Sequence, residues 1–407
     1  MPKPNRNRSV LDAPAARSRD RLWLSLIVVG VLLRIAIALV SIGSNDTVTW
    51  LQWGIQVGRN GLFNTYAHFP QFNHPPFPAY WAALCAKLAG NDTSPPHDRI
   101  FAIVFKLAPI LGDCLGIYLL YLIWLPRRGE TFALFVAAMF SLSINAIVVS
   151  GYHGNTDSLM IALCLLCLYF LQGAPRPPRP LLAGLALAAA INVKLIPVFL
   201  IPPLLLQMRS WRAAFRFLAG LAAGVLPFIP LLLKVPAQFC RNALQYNSTI
   251  DRWGINFFFL YGEAGWDPAH PGERVIALYY GKTRYVILLL IALWGLLARI
   301  KPRWTVYEIA AVVFAVFLIL APGFGVQYTV LIGLPLFAAR PRWAIVYAVL
   351  AGLFVTATYF VYLTDSFPFY SDWVTLLPYP VAALGLATWF LLIGLVLYTL
   401  IRPAKRP

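Results

Sequence analysis

From residue 22 to residue 401 the chain is a succession of apolar runs, separated by short segments that hold most of its arginines and lysines. A helix needs about 20 residues to cross the hydrocarbon of a bilayer, and in lipid every backbone polar group must be paired within the fold. That pattern restricts the chain to a bundle of membrane-spanning helices. Composition agrees: 60% of the 407 residues are hydrophobic and 12% charged, where a soluble domain holds about 25% charged. The net charge of +18 does not mark a nucleic-acid surface, because the cations lie between apolar runs and so report topology. Membrane lipids, and no nucleic acid, are the partners this composition implies.

The expected organisation is a basic cytoplasmic tail over 1–21, a transmembrane domain over 22–401 and a short cytoplasmic tail over 402–407. Twelve crossings are expected. Full-length spans alternate with short hairpins that turn at Asn192-Val193-Lys194 and at 322–328. Two long external loops cover 44–99 and 234–284. Of the 33 Lys and Arg, 21 fall in the segments this topology puts inside, and most Asp and Glu fall outside. The positive-inside rule then places both termini in the cytoplasm of a plasma membrane. The five cysteines, Cys164 and Cys167 included, lie mostly in apolar runs without metal-ligand or redox spacing and read as small core residues.

Polar residues are few enough in such a chain to be informative. Asp46 follows the first span directly. The loop behind it carries Trp50, Trp53, Arg59 and Tyr66 and ends in Asn73-His74-Pro75-Pro76. His153, Asn155 and Asp157 form the apex Gly151-Tyr-His-Gly-Asn-Thr-Asp157, and Lys194 and Gln327 sit at the turns of the short hairpins. Arg252 lies in the second loop, with Trp253 and Trp266. Ionisable groups at membrane depth are costly and usually face a bundle interior or a water-filled cavity. These residues are therefore expected to converge on one outward-facing cavity, with the tryptophans either stacking on a sugar or anchoring the loops. Asp113 and Glu308, inside spans, are expected to pair within the bundle. The triplets at Asn45, Asn91 and Asn247 match the glycosylation pattern, which is frequent by chance.

An acid after the first span, an aromatic loop ending in NHPPFPAY, an apical GYHGNTD and a buried NVKLIP together resemble the GT-C superfamily of membrane glycosyltransferases. The similarity is to the dolichyl-phosphate-glucose-dependent glucosyltransferases of the N-glycan pathway and their bacterial polyprenyl-phosphate-sugar-dependent relatives. The resemblance implies an all-α polytopic fold and inverting transfer of a hexose from a polyprenyl-phosphate-linked donor. The implied acceptor is a lipid-linked saccharide or a cell-envelope glycan at the outer face. It implies that Asp46 is the catalytic base. Asn45 and a single Asp stand where the family often has paired acids, so no metal or other cofactor is expected. Val326-Gln327 stands where the eukaryotic enzymes carry a His-Glu pair.

Chemistry assigns the remaining roles. A hydroxyl attacking an anomeric carbon needs an acceptor for its proton, and the departing phosphate needs a fixed cation. Lys194 is the first candidate for that cation and Arg252 the second, although Lys194 has a competing use as the partner of Asp157. His74, His153, Asn155, Asp157 and Gln327 complete the expected substrate-binding set. A flippase for a lipid-linked saccharide is the alternative reading, since it too needs a basic cavity and aromatic loops, but it also needs access to both membrane faces.

Overall fold

The computed structural model describes residues 12–172, 177–245, 250–260, 273–364, 367–373 and 375–402. They form an all-α bundle with one two-stranded ribbon. The first helix, α1 (Asp12–Val40), begins ahead of the first apolar run, so the end of the basic tail is helical. It turns Leu22, Val28, Leu32 and Leu39 outward, as a helix in lipid must.

Five helices are long and apolar enough to cross a membrane: Ser18–Val40, His97–Arg128, Ala277–Ile300, Pro341–Val361 and Tyr379–Ile401. Two bent pairs, Glu130–Ser141 with Ile144–His153 and Trp211–Gly224 with Leu226–Lys234, raise the number to seven. The other expected crossings are helices of 10–17 residues, among them Asp157–Leu171 and Pro180–Val193. At about 1.5 Å per residue these fall short of a full bilayer. By length, the count among the described residues is five to seven and does not reach twelve.

Small residues set the closeness of the packing. A Cβ on Gly184 would stand 2.1 Å from the Phe217 carbonyl oxygen, and one on Gly220 would stand 2.2 Å from that of Leu181. The two backbones therefore touch, the usual way membrane helices gain dispersion contact without a hydrophobic drive. Buried charge is paired within the bundle. Arg34 donates to Asp113 at 2.8 Å and to the carbonyls of Gly30 and Ser141. Glu308 caps the helix Val306–Leu320 with Thr305 and accepts from Arg340 at 2.6 Å.

The segment 44–99 is not an extended loop. It folds as α2 (Asn45–Asn60), α3 (Leu62–His68) and α4 (Pro76–Leu88) before α5 (His97–Arg128) begins. Trp50, Ala82 and Cys85 pack with Phe101 and Phe105 of α5 in a small aromatic core. Ahead of it, β1 (Ser41–Ser44) pairs in parallel with β2 (Phe369–Ser371), which brings a late segment of the chain beside the exit of the first span. The second long loop is also partly helical, and the helix Glu273–Ile300 starts well before the expected span. Trp266 and the triplet at Asn247 lie outside the described residues.

Candidate active site

Asp46 is placed by a strand and two glycines. Residue 45 opens α2, so Asp46 sits in its first turn, where the helix dipole favours an anion. Opposite, the helix α7 (Ile144–Val148) widens into a π-turn at Val149–His153 that ends on Gly154 with φ +78°. A Cβ on Gly43, whose φ is +107°, would meet the Tyr152 carbonyl at 2.1 Å, and one on Gly154 would meet Thr47 Oγ1 at 2.0 Å. Glycine at both positions is what lets the strand and the turn touch. Ser44 Oγ and Thr47 Oγ1 then donate to the His153 carbonyl at 2.7 and 3.2 Å. The consequence is a polar knot in which Asn155 Nδ2 donates to Asp46 Oδ2 at 2.8 Å and His153 Nε2 stands 3.2 Å from the same oxygen.

A second pair lies beside the first. Asp157 opens α8 (Asp157–Leu171), and Lys194 ends α9 (Pro180–Val193); Lys194 Nζ donates to Asp157 Oδ1 at 2.6 Å. Lys194 Nζ also lies 4.6 Å from the centroid of Tyr328, in the same short turn as the buried Gln327. The competing use of Lys194 is thus realised, since its ammonium is neutralised by a carboxylate. Asp157 Oδ2 and Ser158 Oγ have no hydrogen-bond partner among the described residues.

His74 packs against Trp50 and Trp53, with ring centroids 4.3 and 5.3 Å apart, and the Tyr66 hydroxyl donates to its carbonyl. Burial holds its imidazole far below the usual range, at about 3, with the charge of Lys194 adding to the effect and that of Asp46 opposing it. His74 is therefore neutral at any ordinary pH. For Asp46, burial pushes the carboxyl up, but the His153 contact and charge, the Asn155 amide and the Lys194 charge together bring it down to about 2. Its side chain retains 37% of its surface, so solvent moderates each of these effects, and the direction is the firm result.

The structure gathers Asp46, His153, Asn155, Asp157 and Lys194 in one polar cluster, with His74 within reach of the Lys194 and Asp46 charges and Gln327 beside Tyr328, whose ring Lys194 faces. It places Arg252 elsewhere: that guanidinium donates to the Leu377 carbonyl at 2.8 Å and lies over the Tyr379 ring, next to Asp251. Trp253 is also unsuited to stacking on a sugar. It is buried flat against Phe324 at 4.0 Å, and its indole N–H donates to the Leu318 carbonyl.

Three contributors escaped the sequence reading. Tyr359 Oη lies 2.7 Å from His153 Nδ1, and Ser44 holds the same turn. Lys106, fully buried in α5, donates to the carbonyl and hydroxyl of Ser41 and so braces β1. A lysine alone in an apolar run was a signal for the last. Nothing in the sequence distinguished Tyr359 from the other tyrosines.

Residues 73–233 match the family described as dolichyl-phosphate-mannose-protein mannosyltransferase. The matched region contains His74, His153, Asn155, Asp157 and Lys194, while Asp46, Arg252 and Gln327 lie outside it. The crystal structure of ArnT from Cupriavidus metallidurans bound to undecaprenyl phosphate is similar at 17% identity and a TM-score of 0.44, over 92% of this chain and 76% of that one. No curated protein matches the chain.

Proposed function

We propose that this chain is an inverting glycosyltransferase that moves a hexose from a polyprenyl-phosphate-linked donor to a lipid-linked saccharide or cell-envelope glycan at the outer face of the membrane. The observation that carries the reading is Asp46. It is an ionised carboxylate at a helix N-terminus, anchored on one side by His153 and Asn155 and partly open on the other. The family match supports the donor class, since the family's name specifies a sugar carried on a polyprenyl-type phosphate.

In the proposed reaction the acceptor hydroxyl attacks the anomeric carbon from the face opposite the phosphate, and Asp46 takes its proton. A carboxyl held near 2 is a weak base in the ground state. It receives the proton only as the forming C–O bond acidifies the hydroxyl, so its benefit is concentrated in the transition state. Lys194 is the cation for the departing phosphate, because its charge already acts on both Asp46 and His74. Asp157 holds it in place meanwhile. Arg252, bound into a different cluster, is left out of this step. His74, Asn155 and Gln327 line the donor and acceptor positions, the transmembrane domain being 22–401 with both termini cytoplasmic.

The test is transfer of radiolabelled hexose from synthetic polyprenyl-phosphate hexoses by the purified protein in detergent. Product without any sealed compartment supports transfer. Intact protein that binds the donor yet yields no product from any acceptor overturns it in favour of a flippase.

A further inference from the structure

Several helix ends meet on the face of the bundle opposite Asp46. α5 starts beside the exit of the first span, where Arg99 Nη2 donates to the Leu39 carbonyl at 3.0 Å. At about 1.5 Å per residue it brings Arg127 and Arg128 about 45 Å further along. Around that end stand Glu308 at the start of the helix Val306–Leu320, Arg340 between the helices Gly333–Ala339 and Pro341–Val361, and Arg402 after the helix Tyr379–Ile401. Arg127 lies over the Tyr307 ring at 5.2 Å and donates to the Ala338 carbonyl. Arg340 lies over Tyr398 at 5.1 Å. Arg303 lies over Trp304 at 4.4 Å and donates to the Leu400 carbonyl at 2.6 Å. The four arginines Arg127, Arg303, Arg340 and Arg402 thus form one patch.

Among the described residues a single carboxylate serves them. Glu308 Oε2 is spent on its own helix cap, accepting from the backbone and hydroxyl of Thr305 at 2.9 and 3.2 Å. Oε1 takes the Arg340 guanidinium at 2.6 Å and stands 3.5 Å from that of Arg402. Arg303 Nε and Arg340 Nε have no hydrogen-bond partner among the described residues. The side chains of Arg340 and Arg402 are only 12% and 22% exposed, and charge taken out of water is costly without a counter-charge. The patch is short of an anion.

The positive-inside rule asks for arginines on this face, but exposed ones such as Arg212 and Arg216 satisfy it. It does not ask for four guanidiniums around one acid. The depth of the patch says what the anion is attached to. Trp304, Trp343 and Tyr398 stand at the same helix ends, the level at which aromatic rings collect beside lipid headgroups. Ile300, Leu397 and Ile401 of those ends are exposed and offer a surface to acyl chains. Guanidinium N–H groups match phosphate oxygens in pairs, and basic pockets between helix ends are where anionic lipid headgroups bind.

We propose that Arg303, Arg340 and Arg402 bind the phosphate of an anionic phospholipid on the face that the proposed topology puts in the cytoplasm. The site is independent of the transfer reaction. Its ligand supplies the negative charge that Glu308 alone cannot, and ties together the ends of the helices that carry these arginines.

Native mass spectrometry of the full chain, delipidated in detergent and titrated with dioleoyl phosphatidylglycerol, dioleoyl phosphatidylcholine or inorganic phosphate, tests the proposal. One tightly held phosphatidylglycerol per chain is expected, with phosphatidylcholine bound about tenfold more weakly or worse. The double variant Arg303→Gln, Arg402→Gln should weaken phosphatidylglycerol by about tenfold or more. Arg212→Gln with Arg216→Gln should leave it unchanged. That pair removes as much charge from the same face, which Arg299 marks by donating to the Met208 carbonyl at 3.4 Å. Melting in detergent shows whether each variant is folded. Arg402→Gln alone, which gives up no hydrogen bond of its guanidinium among the described residues, reads out the site should the double variant unfold. Equal binding of the two lipids, or equal weakening in both double variants, reduces the patch to diffuse surface charge and overturns the proposal. Displacement of the lipid by inorganic phosphate at matching concentration overturns it in favour of a soluble phosphate ligand.

Discussion

Two sets of buried charge in this bundle follow opposite designs. Arg34 and Asp113 are enclosed, with side chains 0% and 2% exposed, and the arginine adds two carbonyl acceptors to its carboxylate partner. Around Asp46 the enclosure is incomplete: one carboxylate oxygen is crowded, the other carries no bond, and Asp157 Oδ2 lacks a partner. Removing charge from water is costly unless it is paired and hydrogen-bonded. The first set comes nearer to that condition, with Arg34 Nη2 its one unpartnered atom among the described residues, and holds helices together; the second meets it only in part and keeps a half-open carboxylate, the feature on which the proposed function rests.

Replacements should separate the two. Asp113→Asn leaves the Arg34 guanidinium without its counter-charge in the bundle and is expected to lower stability by about 3–5 kcal/mol, while the activity of the protein that remains folded is unchanged. Unfolding in detergent and specific activity per folded molecule check both halves. Lys194→Met should do the reverse, cutting kcat by roughly 100–1,000-fold through loss of the cation facing the phosphate. Its stability loss is softened by combining it with Asp157→Asn, which removes the orphaned carboxylate. A stability cost without a rate cost at Lys194 would move it into the structural set.

Gly154→Ala is next in size. Forcing a side chain into a φ of +78° and against Thr47 should cost about 1–3 kcal/mol and loosen the Asp46–His153 contact, so a fall in activity should accompany the fall in melting temperature. At neutral pH the smallest effect is expected at His74. With its pKa lowered to about 3 in the fold against about 6.5 unfolded, the unfolded chain binds the extra proton first. Its contribution to stability is therefore complete above about pH 6.5 and is lost as pH falls toward 3. His74→Gln should flatten the stability profile over that window, measured as melting temperature against pH.

Much of this was legible in the sequence because lipid leaves few choices. Apolar length and the placement of arginines announced an all-α membrane fold, and the scarcity of polar residues drew attention to Asp46, His153 and Asp157 without any structure. What stayed hidden depends on packing. Helices of 10–17 residues are too short to count as full crossings by length alone, so charge alternation and length give different numbers. The segment 44–99 reads as a loop because its turns and prolines mask the aromatic core that folds it. Lys194 ranked ahead of Arg252 as a cation and its pairing with Asp157 was foreseeable from the sequence, whereas only the tertiary structure sends Arg252 to Tyr379. Tyr359 and Ser44 matter through the single histidine they touch, a contact between segments far apart in the chain.

The most direct test sets one residue from each region side by side. Transfer of radiolabelled hexose from a polyprenyl-phosphate donor is measured for purified wild type, Asp46→Asn and Asp113→Asn, each normalised to folded protein. The account predicts a loss of about 100-fold to 10,000-fold for Asp46→Asn and near wild-type turnover for folded Asp113→Asn. Asp46→Asn protein that transfers sugar at the wild-type rate would contradict it.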